Sequence, residues 1–155
     1  MPWTRRRVSD MAEIVKAGLS ELEDILAVEQ TCFSVPWSEK SISDGLTDER
    51  YCFLIAVCES KTVGYGSILT ACDECDLLNV AVLPEYRGRG IGRAIVNGLI
   101  SEAKSRGVEA IHLEVRESNE NAIGLYLSLG FSPDGTRRNY YKMPQENAVL
   151  MTKTL

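Results

Sequence analysis

The sequence has no apolar run long enough to cross a membrane, and it contains a single histidine among its 155 residues. A membrane-spanning helix needs about 18 or more consecutive apolar residues, so an integral membrane protein is excluded. The amino-terminal residues carry arginines but lack the apolar segment and the small-residue cleavage site of a secretory signal. We therefore expect a cytoplasmic protein with no membrane partner.

Cysteine is scarce, and its count is odd: Cys32, Cys52, Cys58, Cys72 and Cys75. An odd count argues against a complete disulfide framework. Cys72 and Cys75 have the spacing of a redox or zinc pair, but a structural zinc site needs four ligands, and the sequence adds only His112. A thioredoxin-like redox pair would begin a helix after a strand, whereas this pair lies between two strand-like segments. We interpret both residues as loop thiols and expect no metal.

Positive charge is in deficit, since the formal net charge is −5 and no broad basic, aromatic-rich stripe is present. This composition does not favour nucleic acid as a partner. The hydrophobic content of 45% is enough for one real core in a chain of this length. We predict one domain over residues 1–155, with residues 1–10 as a candidate disordered segment.

The first third of the chain predicts a short strand at "IVKAG" and then a helix over "LSELEDILAVEQTCF". Leu22, Ile25 and Leu26 have helical spacing, Ser20 is the expected N-cap, and Glu29 is interpreted as an exposed break in the apolar face. A second short helix is expected after a Ser38 cap. The apolar segments "YCFLIAVCE", "TVGYGSILTA" and "DLLNVAVLP" then predict neighbouring strands.

The second half continues the alternation of helices and strands. An amphipathic helix begins near Ile91 and ends at Gly107, and the next segment, "VEAIHLEV", alternates like a strand. In that strand His112 and Glu114 share the face opposite its apolar residues. A further helix is expected with Ser118 or Asn119 as cap and Gly130 at its end, followed by strands near "TRRNYYKM" and "AVLMTKTL". The pattern is a mixed α/β sheet.

Three glycines and three arginines lie between Arg87 and Arg93, directly before a predicted helix. A helix start has free N–H groups and partial positive charge, glycines allow close approach, and arginines add charge, so a phosphate or pyrophosphate is the expected ligand. The alternative is a glycine-rich turn with solvated arginines. A P-loop would require Gly-Lys-Ser/Thr, and a dinucleotide fingerprint would require a glycine at Arg93, so both common nucleotide motifs fail.

The remaining pattern is Arg-x-x-Gly-x-Gly at Arg87, Gly90 and Gly92, and it resembles the pyrophosphate motif of the GNAT family of acyl-coenzyme A dependent N-acetyltransferases. "LEVRESNENAIGLYLSLGF" is similar to a later motif of that family. "PWSEKS", "NVAV" and "RRNYY" resemble the subgroup that acts on the amino-terminal alanine of a ribosomal protein. The resemblance implies a mixed, mostly antiparallel twisted sheet of about six to seven strands flanked by about four helices.

The resemblance also implies roles for individual residues, with acetyl-CoA as cosubstrate. Glu114 would be the general base and Tyr126 the acid that protonates the departing thiolate, although each also has a structural reading, as an exposed strand glutamate and a core aromatic. His112 is treated as supporting or structural. Asn119 could equally be only a helix cap. The residues implied to bind the cofactor are Val80, Ala81, Val82, Gly88, Arg89, Gly90, Ile91, Gly92, Arg93 and Asn119.

The implied acceptor is a protein amino terminus, positioned by Tyr140 and Tyr141. An acidic run at Asp73, Glu74 and Asp76 would suit a basic ribosomal protein tail; the alternative is that these acidic residues only keep the protein soluble. The subgroup has proline directly after the tyrosine pair, whereas here Lys142 and Met143 precede Pro144. Two alternatives stay open: an acetyltransferase for another protein terminus or a small amine, and a non-catalytic acyl-CoA-binding module.

Overall fold

A seven-stranded mixed sheet forms the centre of the protein in a computed structural model that describes residues 12–155. The strand order is β1-β2-β3-β4-β5-β7-β6, and all neighbours are antiparallel except β4 and β5, which are parallel. The predicted mixed, mostly antiparallel sheet is confirmed, whereas the expectation for residues 1–10 lies outside the described residues. The strands are β1 Glu13–Lys16, β2 Tyr51–Cys58, β3 Lys61–Ala71, β4 Glu74–Val82, β5 Ala110–Arg116, β6 Ser132–Lys142 and β7 Gln145–Thr154.

Four α-helices flank the described sheet, as predicted, and two short 3-10 turns lie at Leu19–Glu21 and Pro84–Tyr86. The Ser38 hydroxyl caps the second helix by accepting from the Ser41 amide at 3.1 Å. Gly107 and Gly130 adopt positive φ just after the third and fourth helices end, as expected for helix stops. The helices are α1 Leu22–Cys32, α2 Glu39–Leu46, α3 Ile91–Ser105 and α4 Glu120–Ser128. No helix in residues 12–155 has the length and apolarity needed to cross a membrane.

The sheet has helices on both faces of its first half, which explains why β2 is buried almost throughout. α3 covers one face so closely that a Cβ at Gly66 would lie 2.7 Å from Ile95 Cγ2. On the other face the rings of Phe53 and Tyr65 stack with centroids 6.2 Å apart beneath α1 and α2. Side chain bulk is therefore excluded at Gly66 because helix and sheet are in contact there.

The start of α1 differs from the prediction of a single helix capped by Ser20. The chain first makes the 3-10 turn, and the Gly18 amide donates to Glu21 Oε1 at 2.8 Å, which satisfies a free amide at the entrance. Ser20 does not cap the helix, because its hydroxyl donates to the Glu21 carboxylate. The capping acceptor, Glu21, is thus three residues after the N-cap residue Gly18, as in a capping box.

Three other predictions are corrected. Glu29 is not exposed: only 1% of it is accessible, on the same side of α1 as Ile25 and Val28. Cys75 is not a loop thiol, because it lies buried in β4, whereas Cys72 is exposed in the preceding turn. β6 begins at Ser132, before the expected start, because an edge strand tolerates its Pro-Asp-Gly segment.

Burial raises the pKa of the Cys75 thiol to about 11, which disfavours a reactive thiolate at neutral pH. All five cysteines are free thiols. Among the described residues no three histidine, cysteine, aspartate or glutamate side chains converge as a metal site would require.

Candidate active site

A wedge-shaped gap opens between the parallel strands β4 and β5. The two strands pair at only three positions, Glu74 with Ala110, Cys75 with Ile111 and Asp76 with His112. Beyond this point β4 continues to Val82 and β5 to Arg116 without pairing with each other. The β4 edge at residues 80–82 therefore faces the gap with backbone groups available to an extended ligand.

A β-bulge marks the place where β4 leaves β5. On β3, Gly66 pairs with Val80 and Ile68 pairs with Leu77, so residues 78–79 of β4 lie opposite the single residue Ser67. A bulge of this kind bends the strand and redirects the side chains beside it. The bulge lies immediately before Val80, at the start of the free strand edge.

The start of α3 lies just after the end of β4. Gly88 and Gly90 adopt φ values of 77° and 82°, and Gly90 is the N-cap residue. The first intrahelical bond here is from the Ala94 amide to Gly90 O at 3.0 Å. The amides of residues 91–93 precede this bond and remain available for an anion, favoured by the helix dipole.

Each arginine of this segment is exposed and uses one guanidinium nitrogen within the protein. Because a guanidinium carries five N–H donors, each side chain keeps donors for a ligand. The Arg87 and Arg89 bonds also brace the loop that leads to α3. The bonds are Arg87 Nε to Val82 O at 2.9 Å, Arg89 Nη2 to Glu85 O at 3.2 Å and Arg93 Nη2 to Ser128 Oγ at 2.8 Å.

Glu114 projects from the part of β5 that does not pair with β4, residues 113–116, which we call the free part of β5. Its side chain is exposed, whereas Leu113 and Val115 on the opposite face are buried, as the alternation predicted. The negative charge of Glu114 is among the influences that raise the pKa of Tyr141. The carboxylate therefore lies near the tyrosine pair of β6.

Tyr126 lies on α4 with 7% of its surface exposed, and its ring meets Phe131 edge to face at 5.6 Å. Burial, and then the neighbouring Tyr141, raises the pKa of Tyr126 to about 12. The phenol is therefore neutral at physiological pH. Its hydroxyl has no hydrogen-bond partner within residues 12–155, so its proton is available to a ligand.

Arg116 holds the β6–β7 turn in place, a role that sequence reasoning missed. Its Nη1 donates to Pro144 O at 3.0 Å and its Nη2 to Met143 O at 3.2 Å. The guanidinium also lies 4.2 Å from the ring centroid of Tyr141. The one signal in the sequence was that Arg116 belongs to the motif "LEVR". Its spacing does not identify Met143, 27 residues away, as a partner.

The two tyrosines expected to contact the acceptor lie at the end of β6. Their rings are perpendicular with centroids 5.0 Å apart. Tyr140 is 40% exposed, whereas Tyr141 is half-buried, and burial raises its pKa to about 12. The influence of Tyr141 on Tyr126 and of Glu114 on Tyr141 indicates that the three side chains are neighbours.

The loop between α1 and α2 contacts the β6–β7 turn. Ser34 Oγ donates to Met143 O at 2.9 Å, and large apolar side chains on both sides of this bond are exposed. We call Ser34, Val35, Tyr140 and Met143 the rim. Val35 is 60% exposed and Met143 is 64% exposed, so the rim offers apolar surface beside Tyr141.

The remaining predicted residues make local contacts. Asn119 caps α4, since its Oδ1 accepts from the Ala122 amide at 3.2 Å. The ring nitrogens of His112 lie 2.9 Å from Thr152 Oγ1 and 3.0 Å from Glu74 Oε1. His112 is thus held by neighbours on both sides, which agrees with a supporting or structural interpretation.

Glu29 is the second residue that sequence reasoning missed. Its carboxylate accepts hydrogen bonds from the Tyr65 hydroxyl at 2.6 Å, from Asn79 Nδ2 at 3.1 Å and from the Trp37 amide at 2.8 Å. Helical spacing carried the signal, because Glu29 follows the buried Ile25 by four residues and therefore lies on the apolar face.

Comparisons with known proteins give one consistent result. The family model described as "Acetyltransferase (GNAT) family" matches residues 22–131. The [ribosomal protein bS18]-alanine N-acetyltransferase of Salmonella typhimurium is 41% identical over 126 residues, which are 80% of this chain and 84% of the relative. The Escherichia coli K12 protein of the same name is 40% identical over 143 residues, 91% of this chain and 96% of the relative.

The fold agrees with a solved structure at similar identity. The crystal structure of the ribosomal-protein-S18-alanine N-acetyltransferase from Escherichia coli matches with a TM-score of 0.86 at 37% identity, covering 93% of this chain and 94% of that chain. A family model that spans most of the chain, and relatives this similar over most of its length, identify an enzyme. The protein belongs to the GNAT family of N-acetyltransferases.

Proposed function

We propose that the protein transfers an acetyl group from acetyl-CoA to the amino-terminal α-amine of a protein, and that the acceptor is the terminal alanine of a small-subunit ribosomal protein. The observation that carries the chemistry is the placement of Glu114 on β5 and Tyr126 on α4, with Tyr141 near both. Within residues 12–155 neither the carboxylate nor the phenol has a hydrogen-bond partner. A module that only binds acyl-CoA needs neither group.

Acetyl-CoA, the cosubstrate of GNAT enzymes, fits the gap beside β4. Residues 80–82 offer backbone groups to the acyl carbonyl and the pantetheine arm, and residues 88–93 offer amides and guanidinium groups to the pyrophosphate. Asn119 uses its Oδ1 as the α4 cap. Its amide nitrogen is left to contact the cosubstrate near the thiol end.

Glu114 is the proposed general base. An α-amine has a pKa of roughly 8 and is mostly protonated at neutral pH, so it must lose a proton before it can attack the thioester carbon. The exposed position of Glu114 on the free part of β5 allows an amine or an intervening water to approach it. The proton moves to the Glu114 carboxylate and from there to solvent.

Tyr126 is the proposed general acid. When the carbon–sulfur bond breaks, the departing thiolate takes the phenolic proton, and the phenol is restored from solvent. The raised pKa of Tyr126 keeps that proton in place until a strong base appears. Desolvation also raises the proton affinity of a thiolate formed in the same surroundings, so the donor and acceptor are matched.

The proposed acceptor rests on the names of the relatives and on the surface around the tyrosine pair. Both bacterial relatives are named as acting on alanine of ribosomal protein bS18. The rim provides apolar contacts for the first side chains of a peptide. Glu74 and Asp76 lie on the surface near His112 and would attract a basic tail. We further propose that residues 1–155 act as one catalytic domain and that a ribosomal acceptor places the enzyme in the cytoplasm.

A peptide panel tests this function. We expect acetyl transfer to the α-amine of a basic peptide that begins with alanine, and much less to a matched peptide with a blocked terminus, to an acidic alanine peptide or to small amines. The measurement is mass-spectrometric detection of the product with localisation of the acetyl group. Selective transfer to small amines would keep the chemistry but contradict the acceptor, and acetyl-CoA binding without any transfer would favour the binding-module alternative.

Gly90→Ala tests the anion site. Gly90 has φ of 82°, where a side chain costs about 1–2 kcal/mol, so the loop is expected to shift and the Kd of acetyl-CoA to rise about tenfold. Isothermal titration calorimetry measures this value. Gly124→Ala is the matched control, because a Cβ there meets nothing within 4 Å and its affinity should not change. Equal affinity in the Gly90 variant would contradict the loop assignment.

A further inference from the structure

The buried carboxylate of Glu29 has no cationic partner among the described residues, since none of their ion pairs includes it. Burying an ionised group is costly unless hydrogen bonds replace its water. Here three donors from three different elements perform that task. Such a group either stabilises the core alone or fixes the elements that supply its donors.

The donors are not equivalent. Tyr65 belongs to the buried face of β3, and Asn79 belongs to the bulge in β4. The Trp37 amide, in contrast, belongs to the loop between α1 and α2, and it is the one donor that the described part of this loop offers to the Glu29 carboxylate. The two carboxylate oxygens divide this work: Oε1 takes the Tyr65 hydroxyl and the nearer Asn79 contact, and Oε2 takes the Trp37 amide at 2.8 Å.

The Glu29 carboxylate therefore links the α1–α2 loop, which carries part of the rim, to β4, the strand that lines the gap. Asn79 directly precedes Val80, the first residue of the free β4 edge, and Ser34 and Val35 of the rim lie three and two residues before Trp37. Because Glu29 sits between them, a displacement of its carboxylate would move the loop relative to the strand.

Tyr65 donates to Oε1, the carboxylate oxygen that does not bond the Trp37 amide of the loop. Burial, and next the charge of Glu29, raises the pKa of Tyr65 far above its ordinary value, so its hydroxyl remains a donor. Asn79 Nδ2 also donates to the Tyr65 oxygen at 3.1 Å. The side chains of Glu29, Tyr65 and Asn79 are thus hydrogen-bonded to one another beside the bulge. The loop is joined to this group by the bond from the Trp37 amide to Glu29 Oε2.

We propose that Glu29 is a positioning residue for the acceptor: through Oε2 and the Trp37 amide it fixes the α1–α2 loop, and with it the rim, against the β4 edge. This inference rests on the proposed function, because it assigns the rim to the acceptor peptide. It deepens that proposal by naming a residue that touches neither substrate and yet sets acceptor affinity.

Three variants separate positioning from core stability. Glu29→Met fills a similar volume without an acceptor and leaves the Trp37 amide without its partner. Glu29→Gln keeps one oxygen, and the network can adapt, because the Tyr65 hydroxyl can rotate to accept and the Asn79 amide can flip, whereas the Trp37 N–H cannot change. Tyr65→Phe removes a buried donor but leaves the bond to Trp37 intact.

We expect Glu29→Met to raise the KM for the alanine peptide about tenfold or more, with kcat changed much less and the Kd of acetyl-CoA within about twofold. Glu29→Gln and Tyr65→Phe should keep the peptide KM within about threefold of the parent protein. Steady-state kinetics, with acetyl-CoA binding and thermal unfolding as checks of folding, measure these quantities. An unchanged peptide KM in Glu29→Met, or an equal increase in Tyr65→Phe, overturns the proposal.

Hydrogen exchange at the Trp37 amide, followed by NMR, gives a readout that does not depend on activity. The amide should exchange at least about tenfold faster in Glu29→Met and stay protected in the other two variants. If no alanine peptide is acetylated by the parent protein, the proposed function fails, while the exchange pattern still tests the link. Unchanged exchange in Glu29→Met overturns the inference even if the enzyme acetylates the alanine peptide.

Discussion

Tyr126→Phe is expected to lower kcat about a hundredfold or more, the usual range for loss of a general acid, while the Kd of acetyl-CoA stays within about twofold. The substitution keeps the ring and its edge contact with Phe131, so only the hydroxyl is lost. Because that hydroxyl has no partner within residues 12–155, its removal leaves no buried group unsatisfied. Single-turnover kinetics with saturating acetyl-CoA and alanine peptide measure the effect.

The control for this prediction is Tyr51→Phe, which removes a phenol hydroxyl from a ring stacked on Phe53 in β2. Its kcat should match that of the parent enzyme. The pH profile adds a second check: with the pKa of Tyr126 raised to about 12, the acid stays protonated and the parent rate should not decline up to about pH 10. Normal turnover in Tyr126→Phe would remove the residue from the mechanism.

Glu114→Gln is expected to lower kcat/KM for the peptide about a hundredfold at pH 7. The amide is nearly the same size as the carboxylate but cannot accept the amine proton. The deficit should shrink as the pH rises from 7 to 9, because an α-amine with a pKa of roughly 8 then loses its proton to solvent. Initial rates at a series of pH values measure both effects.

Glu109→Gln is the matched control, since Glu109 is also exposed and lies just before β5, away from the free part of that strand. We expect no change in its rate at any pH. A Glu114→Gln deficit that stays constant from pH 7 to 9 would indicate a role in orienting the peptide, and an active variant at pH 7 would exclude the base assignment.

Local signals in the sequence were sufficient to predict most of the helices and strands. The glycines at 90, 107 and 130 mark a helix start and two helix ends, and the alternation in β5 places Glu114 opposite Leu113 and Val115. These features depend on backbone conformation or on periodicity within a few residues. The fold class and the family could therefore be predicted before the structure.

The contacts around the site could not be predicted in the same way. The Arg116 bond to Met143 and the Glu29 bond to Tyr65 join residues that are 27 and 36 positions apart, and no local pattern specifies such partners. Glu29 was misinterpreted because a charged residue was given the ordinary exposed environment of its type. The split between β4 and β5 also has no local signature, since both segments simply look like strands.

The separation of β4 from β5 affects solubility as well as catalysis. Unpaired strand edges at the margin of a sheet invite association with other chains, and proteins protect them with charge, proline or short length. The outer strands here follow that rule, with β1 only four residues long and β6 carrying Pro133, Arg137 and Arg138. The longest free edge at the site faces inward, between paired strands, where the sheet of a neighbouring molecule cannot reach it. The protein thus keeps backbone groups open to a small ligand without offering them as a template for aggregation.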